Sequence, residues 1–170
     1  MQNKFYAKEK IFSETKVVYD KISDFCGMDF KTIKIQLGEN MAWVNLDRPE
    51  VRNALNPLMI RELTEAMDWL NSRDDIRVII LKGNGKSFCA GADLAYMKEM
   101  ADYSYDQNLA DAEQLSKLFR TIYYCNKAVI VVVHGACIGG ANGIVAAADI
   151  VIAESLTKFA FSHCWEMRPK

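Results

Sequence analysis

From Ala128 to Ala148 the chain carries no lysine, arginine, aspartate or glutamate, an uncharged stretch bounded by Lys127 and Asp149. A run of about 20 such residues is long enough to cross a bilayer as a helix, so its internal order decides what the molecule can be. Ala128 to Val133 is rich in β-branched residues, Gly135, Gly139, Gly140 and Gly143 break up the segment after it, and an alanine-rich stretch leads to Asp149. That order predicts a buried strand, a glycine loop and a buried helix rather than a membrane span.

The upstream chain supplies elements of the same kind. Ile33, Ile35 and Leu37 alternate with polar residues, Gly38 to Asn40 offers turn chemistry, and Ala42, Val44 and Leu46 alternate again, which predicts a hairpin. Pro57 opens a segment in which Met59, Leu63, Met67 and Leu70 recur at helical spacing. Ile76 to Leu81 reads as a short buried strand, Gly83 to Gly91 as a loop, and Leu109, Ala112, Leu115, Leu118 or Phe119, and Ile122 as a second helix. Strands separated by helices need crossover connections, so the expectation is an α/β fold with a largely parallel sheet and helices packed outside it.

At 170 residues, 51% hydrophobic and 25% charged, the chain is long enough for one domain with a core that needs neither metal nor disulfides. Lys plus Arg total 21 against 22 for Asp plus Glu, so the surplus of positive charge that non-specific nucleic-acid binding requires is missing. Nucleic acid and anionic membrane are excluded as expected partners. Cys26, Cys89, Cys125, Cys137 and Cys164 are odd in number and widely spaced, which reads as free thiols in a reducing compartment. The first 28 residues hold Glu9, Glu14, Asp20 and Asp24 and no apolar signal core, so the expected location is cytoplasmic. Residues 1–28 read as an N-terminal extension, 29–162 as the core and 163–170 as a divergent tail.

Two glycine loops each come after a strand. The first, VIILKGNGKSFCAGADL from Val78 to Leu94, contains GKS, but a phosphate loop needs glycine five positions before Gly85, where Ile80 stands. The second, VVVHGACIGGANGIVAAADI from Val131 to Ile150, has GxxxGG rather than a dinucleotide fingerprint. Its glycines precede an apolar helix, where main-chain N–H groups lack partners, although close packing alone also explains them. Taken together, the loops suit a site in which one N–H from each converges on a carbonyl oxygen that gains charge. Such a site wants small residues, and Ala90, Gly91, Ala92 and Gly139, Gly140, Ala141 meet that demand.

GNGKSFCAGADL and HGACIGGANGIVAAADIVIAE resemble the paired signature segments of the enoyl-CoA hydratase/isomerase (crotonase) family, and NLDRPEVRNALN resembles its N-terminal segment. The resemblance runs from about Phe30 to Ser162. It implies a crotonase-like spiral of ββα units and an enzyme acting on acyl-CoA thioesters, a hydratase (lyase) or isomerase of the kind used in fatty acid metabolism. Coenzyme A enters as part of the substrate; the resemblance implies no metal and no separate cofactor. Carried onto this chain, the oxyanion donors are the amides of Ala92 and Gly140, while Arg52, Ala54, Ala90, Asp93 and Leu94 lie along the CoA moiety. The family's two glutamates are missing: Gly143 stands at the first position, a substitution that looks like the methylglutaconyl-CoA hydratase branch, and His163 at the second, where histidine can act as a general base. After Ser162 the sequence HCWEMRPK departs from the family, reading as a truncation or altered frame without the usual C-terminal helical region. The family assembles as a homo-oligomer, trimer or hexamer, partly through that region. A non-catalytic remnant of the fold is the competing reading.

Other conspicuous residues have plain readings. Cys89 and Cys137 flank the loops as small core residues, His134 ends a strand as a hydrogen-bonded structural histidine, and Asp149 orients a loop or caps a strand.

Overall fold

The computed structural model describes residues 23–24 and 29–161. The rest of the expected N-terminal extension, His163 and the tail beyond it lie outside the described residues. The strands are β1 (Ser23–Asp24), β2 (Ile33–Leu37), β3 (Met41–Leu46), β4 (Val78–Gly83), β5 (Ala128–Val133), β6 (Ala136–Ile138), β7 (Ile150–Ala153) and β8 (Lys158–Ala160). The helices are α1 (Pro57–Ser72), α2 (Leu94–Met100), α3 (Tyr105–Tyr123) and α4 (Ala141–Ala147). One sheet runs β1-β2-β3-β4-β5-β7 and a second pairs β6 with β8. The expected hairpin is β2–β3, and from β3 onward the large sheet is parallel. The α/β expectation is therefore met.

Successive turns of the chain repeat one plan. Each gives a strand to the large sheet and then a short extended piece to a second layer. β3 is succeeded by Leu55, β4 by Cys89 to Ala92, β5 by β6 and β7 by β8. The short pieces pair in order: Leu55 with Ala92, Cys89 with Cys137, and β6 with β8. This is the spiral of ββα units that the resemblance implies. It brings the two glycine loops, far apart in sequence, side by side at one end of the sheet.

The uncharged stretch 128–148 divides into β5, β6 and α4. Among the described residues no helix is long and apolar enough to cross a membrane. On α1, Met59, Leu63, Met67 and Leu70 are all buried, as their spacing predicts, and Asn56 caps the helix by accepting from the Met59 amide at 2.9 Å. Each such side chain contributes roughly 1.5–3 kcal/mol when fully removed from water.

Four elements differ from expectation. The strand expected at 76–81 is β4, Val78–Gly83, because the ladder with β3 opens at Met41↔Val78 and continues to Leu46↔Gly83. Partner pairing, not hydrophobicity, sets its ends. Helix α2 was not expected, since its seven residues span too few turns to show a period; Asp93 nucleates it by accepting from the amides of Ala95 and Tyr96. β6 and β8, three residues each, were likewise hidden among loop residues.

Candidate active site

The two glycine loops are laced together residue by residue. The Phe88 amide donates to the His134 carbonyl at 2.9 Å, the Cys89 amide to Ala136 at 3.0 Å, and the Ile138 amide to Cys89 at 3.1 Å. From the Cys89↔Cys137 pair, three steps along each loop reach Ala92 (92 − 89) and Gly140 (140 − 137), so these residues hold matching positions. Each comes directly after a glycine in the left-handed region, Gly91 at φ 95° and Gly139 at φ 57°. Side chains rarely adopt that conformation, and it turns the next peptide out of the ladder. The loops also touch: a Cβ built on Gly139 would lie 3.9 Å from the Gly91 Cα, and one on Gly91 would lie 3.0 Å from the Ile138 carbonyl oxygen.

Leu55 closes the other side. Its amide donates to the Gly91 carbonyl at 2.7 Å, and its carbonyl accepts from the Asp93 amide at 2.9 Å. In a parallel pairing those bonds use the neighbours of Ala92 and leave its own N–H over. A Cβ on Gly140 would sit 3.6 Å from Leu55 Cδ1, so the same residue adjoins both positions. Among the described residues, neither the Ala92 nor the Gly140 amide has a hydrogen-bond acceptor. Ala92 is exposed and Gly140 half-buried, which leaves both within reach of a ligand. Two free main-chain donors at matched positions can hold an oxygen on which negative charge grows.

The other predicted residues are distributed unevenly. Arg52 is exposed in a left-handed conformation, and its carbonyl accepts from the Ala90 amide at 2.9 Å. Ala90 is half-buried and Leu94 is exposed beside Ala92. Ala54 and Asp93 are buried, and both are engaged by a residue that sequence reasoning passed over. Arg48 donates through Nη1 to the Ala54 carbonyl at 2.7 Å and through Nη2 to Asp93 Oδ2 at 2.8 Å. The other Asp93 oxygen accepts from Ala95 at 2.9 Å. Burial pushes the Asp93 carboxyl up, but the Arg48 guanidinium and the Ala95 and Tyr96 amides outweigh it and hold the group below its ordinary value. Arg48 and Asp93 stand 45 residues apart, a separation no local pattern reveals.

Asn53 was also missed. It is fully buried at φ 56°, accepts from the Arg48 amide at 2.9 Å and donates to the carbonyls of Asn84 at 2.8 Å and Ser87 at 3.0 Å. On the far wall, Leu115 Cδ2 lies 3.7 Å from the point a Gly140 Cβ would occupy, and a Cβ on Gly143 would overlap the Phe119 ring. The Tyr96 hydroxyl donates to the Asp111 carboxylate and ties α2 to α3.

The plain readings hold. Burial pushes the Cys89 thiol up to about 11 and the Cys137 thiol up to about 12, so neither is an activated nucleophile. His134 Nε2 meets the Gly85 carbonyl at 3.0 Å, and the Asp149 carboxylate accepts from the Val129 amide at 2.7 Å.

Comparison with known proteins agrees with this fold. The sequence pattern of the enoyl-CoA hydratase/isomerase family matches residues 36–164. A Rhodobacter capsulatus protein named probable enoyl-CoA hydratase is 37% identical over 132 residues, 78% of this chain and 49% of that protein. A trans-2-decenoyl-[acyl-carrier-protein] isomerase of Streptococcus mutans is 34% identical over 133 residues, 78% of this chain and 51% of that one. Among solved structures, an enoyl-CoA hydratase/isomerase (crotonase) from Legionella pneumophila superposes with a TM-score of 0.78 at 33% identity, covering 81% of this chain and 53% of that chain. The chain spans about half the length of the curated relatives it matches. With a family pattern covering most of its length and a shared spiral fold, the chain belongs to the enoyl-CoA hydratase/isomerase family.

Proposed function

We propose that the chain binds an enoyl thioester, typically of coenzyme A, with the thioester oxygen between the Ala92 and Gly140 amides, and promotes hydration or double-bond migration. The observation that carries this reading is the pair of N–H groups, unpartnered among the described residues, at matching positions on adjacent loops. As the α-carbon loses a proton, or the β-carbon takes up water, charge moves onto the thioester oxygen and strengthens both hydrogen bonds. Because they strengthen only as the transition state forms, they lower the barrier rather than merely tighten binding. Arg52 offers an exposed cation to the CoA phosphates, Ala90 and Leu94 flank the thioester, and Ala54 and Asp93 serve that wall from behind. Proton transfer falls to a group outside the amide pair, with His163 as the candidate.

Gly140 allows a clean test. Its φ of −59° already suits proline, and a Cβ there meets only ordinary contacts at 3.6 and 3.7 Å. Gly140→Pro removes the donor, whereas Gly140→Ala keeps it. Turnover of crotonyl-CoA and of a 3-enoyl-CoA should fall roughly 10²–10³-fold in Gly140→Pro, about 2.7–4 kcal/mol of barrier, and survive in Gly140→Ala. Equal rates in the two variants reject the oxyanion role; thioester binding without turnover in the unaltered chain leaves a binding unit that is not an enzyme.

A further inference from the structure

We infer that Arg48 is a positioning residue for the oxyanion site: one guanidinium, forked between the Ala54 carbonyl and the Asp93 carboxylate, holds the Ala92 amide in its donating orientation. The inference rests on the reading that Ala92 is a donor. The Ala92 side chain is a methyl group with nothing to hydrogen-bond, so the direction of its N–H depends on the residues either side. Gly91 is held through its carbonyl by Leu55, and Asp93 through its amide by the same residue, at 2.7 and 2.9 Å. Those two bonds fix Ala92 relative to Leu55 but not the pair relative to the rest of the molecule.

Arg48 supplies that link. It grips the residue before Leu55 at 2.7 Å and the residue after Ala92 at 2.8 Å, so its fork spans the Leu55–Ala92 bridge from end to end. The Arg48 main chain is itself fixed, because its amide donates to the buried Asn53 side chain at 2.9 Å. The side chains of Arg48 and Asp93 are 18% and 11% exposed, dry enough for the pair to be held firmly and costly to break from one side. Asp93 also starts α2, so the anchor that sets Ala92 sets the wall beside it. Lysine is a poor substitute, since a single ammonium does not reproduce the planar two-point grip.

The experiment measures ground-state and oxyanion binding separately in the full chain. Butyryl-CoA reports thioester binding, and acetoacetyl-CoA, which enolises, reports stabilisation of the bound oxyanion through its near-ultraviolet enolate absorbance. In the unaltered protein both ligands bind and the enolate band grows. Arg48→Gln is expected to keep butyryl-CoA affinity while losing the enolate band, with affinity for the enolate down by roughly 10²-fold, as for a misplaced donor. Arg48→Lys should recover part of it. Should Arg48→Gln fail to fold by circular dichroism, Arg48→Lys, which keeps the charge facing Asp93 but not the two-point grip, carries the comparison and should show a smaller loss of the same selective kind. An unchanged enolate band in a folded Arg48→Gln protein, or in Arg48→Lys where Arg48→Gln does not fold, overturns the inference alone. Butyryl-CoA binding with no enolate band in the unaltered protein instead overturns the oxyanion reading on which it rests.

Discussion

Asp93 is held below its ordinary value of 3.8 although burial works against it, because Arg48 and two helix amides favour the charged form. A carboxyl whose folded value is depressed contributes stability that is present above the unfolded value and lost as pH falls through the folded one. Denaturant unfolding measured from neutral pH down into the acid range should therefore show stability declining below the ordinary carboxylate range, less steeply in Asp93→Asn than in the unaltered chain. Asp47, lowered by its bonds to Lys34 and Asn84, adds to the decline in both proteins, so the difference between them isolates Asp93. The loop thiols give a second residue-scale prediction. Cys89 and Cys137 are fully buried with raised values, so iodoacetamide at pH 8 and subsequent peptide mapping should leave both unmodified in the native chain and label both after unfolding. Rapid native labelling of Cys89 or Cys137 would contradict the packing described.

At the scale of elements, α3 and α4 meet through a ridge and two absent side chains. Leu115 and Phe119, one turn apart on α3, face Gly140 at the N-cap of α4 and Gly143 within it. No Cβ fits at Gly143 unless the Phe119 ring moves, so Gly143→Ala should destabilise the fold by about 1–3 kcal/mol, the usual cost of overfilling a packed site. Phe119→Leu in the same chain should return part of that loss, and a double-mutant cycle by denaturant unfolding measures the coupling. Simple additivity would show that the ring is not what excludes the side chain. The same elements show where periodicity works. Helix α1 was legible because Met59, Leu63, Met67 and Leu70 repeat over about three turns against a uniform core. Helix α2 and strands β6 and β8 were not, because three to seven residues show no repeat and their existence depends on a cap or on partners far along the chain.

For the whole molecule, the large sheet ends at β7, where Ile150, Val151 and Ile152 are 51%, 42% and 55% exposed, with Phe159 and Phe161 nearby at 48% and 64%. A parallel sheet normally has both faces covered, and an apolar edge strand is a template for pairing. Sedimentation velocity should show association that rises with protein concentration, and Val151→Lys with Ile152→Lys should suppress it; an ideal monomer at all concentrations would rule this out. The same distinction of scale separates sequence from structure. The longer strands and helices, the parallel sheet and the two small-residue loops come from spacing and residue type, because periodicity and glycine chemistry act over a few residues; within those loops it is the resemblance to the family that singles out Ala92 and Gly140. Only the folded chain decided that Asp93 turns inward to Arg48, that Asn53 stitches two loops, and that among the described residues two amides 48 residues apart (140 − 92) are left without acceptors. Those features depend on the register between segments distant in sequence, and register is set by the packing of the entire spiral, which no local pattern encodes.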